Sequence, residues 1–408
     1  EGGAVALQLT ETEKRILAGE EGEAKQLALQ ILTRIGDAMG AQEFVEVASV
    51  QAMAHFGSLH IAGRDWLEKL ACLGGKCCVP TTQDPASIPF AFWEEMGYER
   101  TYAENQLRLR DAILKLGEMP KWSCTPYYQG SVPRVGQNIA WAESSAVSFA
   151  NSGWGARTNR TPAGIAICAA LTGRMPKYGL YLPENRRGQI KVTIESDHLS
   201  NLDYNTIGLM LGKIVGAKIP VLYGIPQSAT NDNLKYLGAS AASSGAVALY
   251  HIDGVTPEAV LSDVFAGQRP EKEILITRND LDDTAAKMTS KGAGDPELAV
   301  VGCPHYSSEE TIRLAEIIGD KKVKPGKAFW VFTTLETQNL MERMGVQEKL
   351  EQAGIRIMAQ TCLVISPLVG NYKNLITDSG KFASYLPSEH HIKIRYAETE
   401  ECVEAVME

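Results

Sequence analysis

The sequence predicts an α/β fold with mainly parallel sheets, and three observations carry that expectation. From about residue 235 the chain alternates apolar runs with helical patterns: "GAVALYHI", "EILIT", "ELAVVGCP", "KAFWVFTT" and "IRIMAQTCLVI" read as strands, with "PEAVLSDVF", "LDDTAAKMTSKG", "SSEETIRLAEIIG" and "ETQNLMERMG" between them as helices. Continuously apolar strands separated by helices of roughly 10–15 residues belong to parallel βαβ units buried on both faces. Upstream, "IKVTIES" (190–196) and "IPVLYGIP" (219–226) read as strands on either side of a helical "NTIGLMLGKIVG" (205–216), whose glycines suggest close packing. Finally, 408 residues with 44% hydrophobic and 22% charged side chains make an ordinary globular composition. That length exceeds the roughly 250–300 residues at which single cores stop growing, so two or three regions sharing a large interior are expected.

The elements follow in order. Thr10 and Glu13 form a capping box that opens a helical pattern running through "KQLALQILTRIGDAM", punctuated by Gly36 and Gly40. "FVEVASVQAMA" (44–54) alternates as a strand does and leads into "FGSLHIAGRD" (56–65), read as a glycine- and histidine-bearing loop. A strong helix follows at about 101–117, closed by Gly117. The change of rhythm sets a soft boundary near 235, giving regions 1–235 and 236–408; no linker marks it and no internal sequence repeat is visible.

The formal charge of −9 comes without a sustained basic run, so the chain's field repels nucleic acid and anionic lipid, and small molecules are the expected ligands. The longest apolar stretches, such as "AGIAICAAL" (163–171), fall far short of the roughly 20 residues that span a bilayer. No basic-then-apolar leader opens the sequence, which reads as cytoplasmic, with "EGGAVA" as a tail.

Eight cysteines in 408 residues are no disulfide scaffold, so a metal, a cluster or a catalytic thiol is the question. Cys168 and Cys402 sit on apolar helix-like faces and read as core. "CLGGKCC" (72–78) resembles a metal loop, yet adjacent cysteines diverge and no second Cys/His pair has zinc-finger spacing. Cys303 and Cys362 instead follow short buried strands, where open α/β sheets bind ligands, and Cys124 stands in a Thr-Pro-Tyr-Tyr turn. Three thiolates from distant loops could hold three irons of a cluster and leave one iron open to a hydroxyl; by spacing alone this is one of several possibilities.

"CTPYY" (124–128), "IAWAESSAVSFANSGWGARTNR" (139–160), "AALTGRMP", "ENRRG", "GCPHYS" and "TCLVISPLVGNYKNLITDSGKFASYLP" resemble the large subunit of aconitase X, a branch of the aconitase superfamily, over residues 8–406. The resemblance implies an aconitase-like large subunit built of several α/β regions, with cluster ligands at Cys124, Cys303 and Cys362. The C-x-x-C of other aconitases is missing, as in aconitase X; the cluster would be 4Fe–4S, or 2Fe–2S as in some bacterial members. It also implies a small swivelling partner carrying the serine base. No such piece is recognisable here, so the chain alone is expected to be inactive.

Family members are dehydratases of two substrate classes, cis-3-hydroxy-L-proline and mevalonate 5-phosphate. In both, a base takes the proton α to a carboxylate while iron polarises the β-hydroxyl. Arg157, Arg160, Arg186 and Arg187 could gather on a phosphate, but arginine equally suits a carboxylate. The wording of "VPTTQDPASIPFAFWEEMG" and "LPENRRGQI" favours the hydroxyproline class.

The side roles expected from these motifs each have a plainer alternative. Arg157, Thr158, Asn159 and Arg160 of "GARTNR" read as a substrate-carboxylate wall, or as a cap with surface arginines. Glu143, Ser144 and Ser145 of "WAESSA" read as acid/base or hydrogen-bonding groups beside the cluster, or as an N-cap. His305 could bond cluster sulfur or the departing hydroxyl, and His60 could contact substrate; either could be purely structural. Lys381 could pair with a substrate carboxylate or be solvated. A dinucleotide-binding alternative is opposed by the absence of a G-x-G-x-x-G between strand and helix.

Overall fold

A computed structural model describes residues 7–196 and 198–408; the "EGGAVA" tail and Asp197 lie outside them. The expected capping box is formed: Thr10 accepts from the Glu13 backbone and Glu13 reaches back to the Thr10 amide, opening the helix Glu11–Leu17. The helix Arg100–Leu116 ends on Gly117 at φ 89°, a left-handed conformation that costs glycine nothing.

Three parallel sheets organise the chain. In the first region Thr81–Gln83, Val50–Ala52 and Ala140–Trp141 form a three-stranded sheet in that order, beside an antiparallel pair of Phe44–Glu46 and Arg174–Pro176. The second sheet runs His251–Ile252, Pro220–Tyr223, Ile190–Glu195, Lys272–Thr277, and the third runs Ile355–Ala359, Ala328–Thr333, Leu298–Tyr306, Asn374–Thr377, Lys393–Tyr396. Counted along the chain, the second sheet has strand order 3-2-1-4 and the third 3-2-1-4-5. Both are doubly wound, and each places a crevice beyond the carboxyl ends of its strands 1 and 4, where the winding reverses.

The expected boundary near 235 falls inside the helix Asn231–Ser244, and the second sheet draws strands from both sides of it. Rhythm in the sequence reports strand and helix, whereas sheet membership is decided by long-range pairing that leaves no local trace. The same helix packs against Asn201–Val215, and here the glycines behave as expected. A Cβ on Gly208 would strike the Leu237 carbonyl, and one on Gly212 would strike Ser244 Oγ. Leu298–Tyr306 is buried at all nine positions, as a central parallel strand should be.

Candidate active site

The third sheet's crevice collects the chemistry. Strand Leu298–Tyr306 loses regular register with Ala328–Thr333 between Val301 and Tyr306, and Cys303 lies in that irregular end. The neighbouring strand Asn374–Thr377 runs into Ser379, whose hydroxyl donates to the Cys303 carbonyl and to whose oxygen Phe382 N–H donates, capping the helix Gly380–His390. Cys362 follows Ile355–Ala359, and its loop is fastened to the first region: Cys362 N–H donates to the Ala86 carbonyl at 3.1 Å and Thr361 Oγ1 to the same oxygen at 3.0 Å. Cys124 lies just before the short 3₁₀ turn Pro126–Gln129, and Ser123 N–H ties that loop to the Gln83 carbonyl at 2.9 Å.

The three thiols therefore come from three loops into one neighbourhood. Cys303 is pushed well above the ordinary thiol range first by burial, with Cys362 and Cys124 adding to the effect and Lys381 opposing it. Burial likewise pushes Cys124 up to about 12 and raises Cys362. Unligated, all three are neutral thiols, and occupation by a metal centre would release their protons.

Glu143 and Lys381 meet across 238 residues in a buried ion pair beside the thiols. Glu143 is the N-cap of Ser144–Ser152, accepting from Ala146 N–H at 2.8 Å and from the Ser145 hydroxyl. Burial raises its carboxyl, but Lys381 and these donors outweigh it and hold the group below its ordinary value. Burial lowers Lys381, but Glu143 outweighs that, followed by Cys303 and Cys124, so its ammonium is retained. Lys381 is thus neither solvated nor free, because its charge is neutralised by the capping carboxylate. Ser144 opens the same helix and is half-buried.

His305 is fully engaged. Its backbone N–H donates to Cys124 Sγ at 3.2 Å, Nδ1 lies 3.1 Å from Ser123 Oγ, and Nε2 lies 2.9 Å from the Thr361 carbonyl. Burial lowers its imidazole to about 4, so the ring is neutral.

The "GARTNR" run is placed differently from the expected substrate wall. Arg157 pairs with Asn138 and Ile139, at the start of the strand whose far end leads to Glu143. Thr158 Oγ1 accepts from Trp141 N–H, and Asn159 bonds the Tyr178 carbonyl and Leu180 N–H, so both serve the backbone. Arg157 lines a separate cavity of about 410 Å³ with Arg186, Arg187 and His251. Arg186 is spent there on Glu258 and Asn151. Arg160 is exposed, on the stretch that returns to Trp141 through Thr161 N–H. His60 is also moved: the expected loop is the helix Phe56–Cys72, broken at His60 (φ 50°, ψ −160°), which is exposed and packs edge-on against Phe56. Two helical stretches meet there in a kink, since His60 alone departs from helical geometry.

Two groups escaped sequence reading. Lys235, fully buried, pairs with Asp232 at 3.0 Å and with Glu310, and sits over the Tyr236 ring. His55 Nε2 lies 3.1 Å from Asp84 Oδ2, both buried at the carboxyl ends of the first sheet, and Ala86 joins that loop to Cys362. A lysine in "NDNLKYLG" and an Asp-Pro in "TTQDPA" look like surface residues until their partners are known. Cys168 and Cys402 are core as expected, and no helix is long and apolar enough to cross a membrane among the described residues.

Among the described residues no three His, Cys, Asp or Glu side chains converge on a single metal ion. Cluster ligands need not converge in that way, since each thiolate takes its own iron. Three cysteines from three loops, with a backbone N–H on one sulfur, are the donor set such a group requires.

Fold and crevice together define a multi-region α/β chain whose candidate site lies beyond the carboxyl ends of the third sheet's strands. Family models for the aconitase X first, second and third domains match residues 6–184, 188–286 and 296–408. The chain is 39% identical over 390 residues to the phosphomevalonate dehydratase large subunit of Methanothermobacter thermautotrophicus, covering 94% of this chain and 95% of that one. It is 35% identical over 405 residues to the cis-3-hydroxy-L-proline dehydratase of Pseudomonas aeruginosa, covering 97% of this chain and 69% of that protein. A crystal structure of Thermococcus kodakaraensis aconitase X in its holo-form superposes with TM-score 0.90 at 32% identity, covering 98% of this chain and 100% of that one. The chain belongs to the aconitase X family, and is a hydro-lyase of that family.

Proposed function

We propose that the chain is the large subunit of an iron–sulfur dehydratase that removes water from cis-3-hydroxy-L-proline to give a pyrroline carboxylate. The observation that carries this is the meeting of the Cys124, Cys303 and Cys362 loops beside the Glu143–Lys381 pair. When bound by these thiols, an iron–sulfur centre supplies a Lewis-acidic iron that polarises a hydroxyl leaving group. Eight free cysteines suit a reducing cytoplasm.

The chain's own residues orient the substrate. Lys381 lies near Cys303 and Cys124 with its charge paired to Glu143, so it meets a substrate carboxylate only as part of that ion pair, which Ser145 and Ala146 hold in place. Ser144 stands on the first turn of that helix. The α-proton needs a base that titrates near neutrality. His305 is unsuited to that role because both ring nitrogens are occupied. The base is accordingly assigned to the small swivel-domain subunit, in keeping with relatives whose names include "large subunit".

The hydroxyproline reading rests on charge. A phosphate dianion calls for several cations, and of the arginines that could supply them Arg186 is committed to Glu258. The mevalonate 5-phosphate reading has one specific support, the 39% and 37% identities to phosphomevalonate dehydratase large subunits over nearly their whole length. Assaying the chain with its small subunit on both substrates decides between them. Pyrroline carboxylate formation without turnover of mevalonate 5-phosphate supports the first reading, and the reverse replaces it by the second.

A further inference from the structure

His305 touches all three cysteine loops at once. It stands two residues after Cys303 on the same strand end, its ring Nδ1 meets Ser123, the neighbour of Cys124, and its Nε2 meets Thr361, the neighbour of Cys362. Its backbone N–H lies on Cys124 Sγ itself. The hydrogen-bond directions are fixed by what surrounds them. The Thr361 carbonyl can only accept, so the neutral ring carries its hydrogen on Nε2, and Ser123 Oγ, which accepts from Thr125 N–H at 3.0 Å and also lies 3.1 Å from Thr125 Oγ1, gives its proton to the bare Nδ1. Nδ1 is then the acceptor, and Nε2 carries the hydrogen that the Thr361 carbonyl accepts.

Other bonds also tie these loops: Ser123 to Gln83 and Thr361 and Cys362 to Ala86, so that the 83–86 segment holds the Cys124 and Cys362 loops from one side, and Ser379 to the Cys303 carbonyl. Apart from them, the His305 imidazole spans directly from the Cys124 loop to the Cys362 loop, from within the Cys303 loop. The residue is 2% exposed, so these bonds do not compete with bulk water.

We propose that His305 is a positioning residue that sets the mutual spacing of Cys124, Cys303 and Cys362 before any inorganic group binds. It acts through Ser123 and Thr361 and takes no part in proton transfer. This deepens the proposed function and rests on that reading only for the choice of the three cysteines. Supports of this kind, one bond removed from a ligand, typically govern metal affinity by about 10–100-fold.

The test uses the purified full chain without metal, titrated with phenylarsine oxide, which is held tightly only where thiols are already close together. In a background of Cys72→Ser, Cys77→Ser and Cys78→Ser, which removes the exposed and half-buried neighbouring thiols elsewhere in the chain, the parent chain should capture it, and removal of Cys124 and Cys362 together should abolish capture. His305→Ala should weaken capture by about tenfold or more, and Ser123→Ala, which removes one arm only, by less. His305→Gln, whose amide can still donate to Thr361, should recover part of the loss. A second measurement, iron and sulfide per chain after anaerobic reconstitution, separates the two ideas. If the parent chain captures arsenical but assembles no iron, the cluster reading fails while the positioning role is still decided by the His305 and Ser123 variants. Equal capture by the parent chain, His305→Ala and Ser123→Ala overturns the positioning role, whatever the iron content. Should His305→Ala not fold, Ser123→Ala and His305→Gln carry the same comparison.

Discussion

Replacing Lys381 by methionine keeps the aliphatic stem but leaves the Glu143 carboxylate buried without its counter-ion. The two side chains are 13% and 10% exposed, so water cannot take over the role of the missing ammonium. Two unit charges about 4 Å apart attract by ~4 kcal/mol at an effective dielectric of ~20, and removing one partner of a buried pair typically costs ~3–5 kcal/mol. The Ser145 and Ala146 donors offset part of that cost. For domains of 150–250 residues, ~2–4 °C per kcal/mol converts this to a fall of roughly 6–20 °C in melting temperature. The pair joins the helix Ser144–Ser152 to Gly380–His390, so the loss should appear as loosening between the first region and the third sheet. Thermal unfolding of K381M, E143Q and the double variant forms a double-mutant cycle. The double variant should recover most of the K381M loss, because no charge is then left unpaired. Strict additivity of the two single losses would refute the pairing as an energetic unit.

Other consequences are open to simple measurements. Glu118 accepts from Gln83 at 2.8 Å in the core, and burial pushes its carboxyl from 4.5 up to about 8. The folded chain therefore holds a proton that the unfolded chain releases, and stability should fall as pH rises from about 4.5 to 8. Glu118→Gln should remove up to ~5 kcal/mol of that loss, raising the melting temperature at pH 8 and leaving it nearly unchanged at pH ~4. Gly208→Ala should destabilise by about 1–3 kcal/mol or more in denaturant titration, because the new methyl meets the Leu237 carbonyl across the helix pair. Cys168→Ala should cost only packing, about 1 kcal/mol, with bound iron unchanged, since its thiol is buried on the helix Ala163–Thr172 away from the crevice loops.

Much of the fold was legible because it was written locally. Capping at Thr10 and Glu13, the helix ending on Gly117 and the close-packed Gly208 and Gly212 are all matters of a few neighbouring residues. The strand order 3-2-1-4-5 was not legible, nor was the sheet that runs through the expected boundary at 235, because parallel pairing joins residues far apart in sequence. The same division holds at the site. Cys124, Cys303 and Cys362 stood out by their loops and by resemblance, whereas Lys381 needed a partner 238 residues away before its burial made sense. "GARTNR" shows the same limit: a run of polar residues reads the same whether it faces a ligand or, like Thr158 and Asn159, satisfies backbone groups. His305 was expected as a catalytic group or a structural one, and its two ring partners, from loops far away in the sequence, were not legible there.

The most direct test of the central claim is iron and acid-labile sulfide per chain in anaerobically purified protein, for the wild type and for Cys124→Ala, Cys303→Ala, Cys362→Ala and Cys168→Ala. The account predicts a coloured wild type and a coloured Cys168→Ala, with iron and sulfide lost in each of the other three. Iron retained in full by Cys124→Ala, Cys303→Ala and Cys362→Ala, or lost in Cys168→Ala alone, would contradict it.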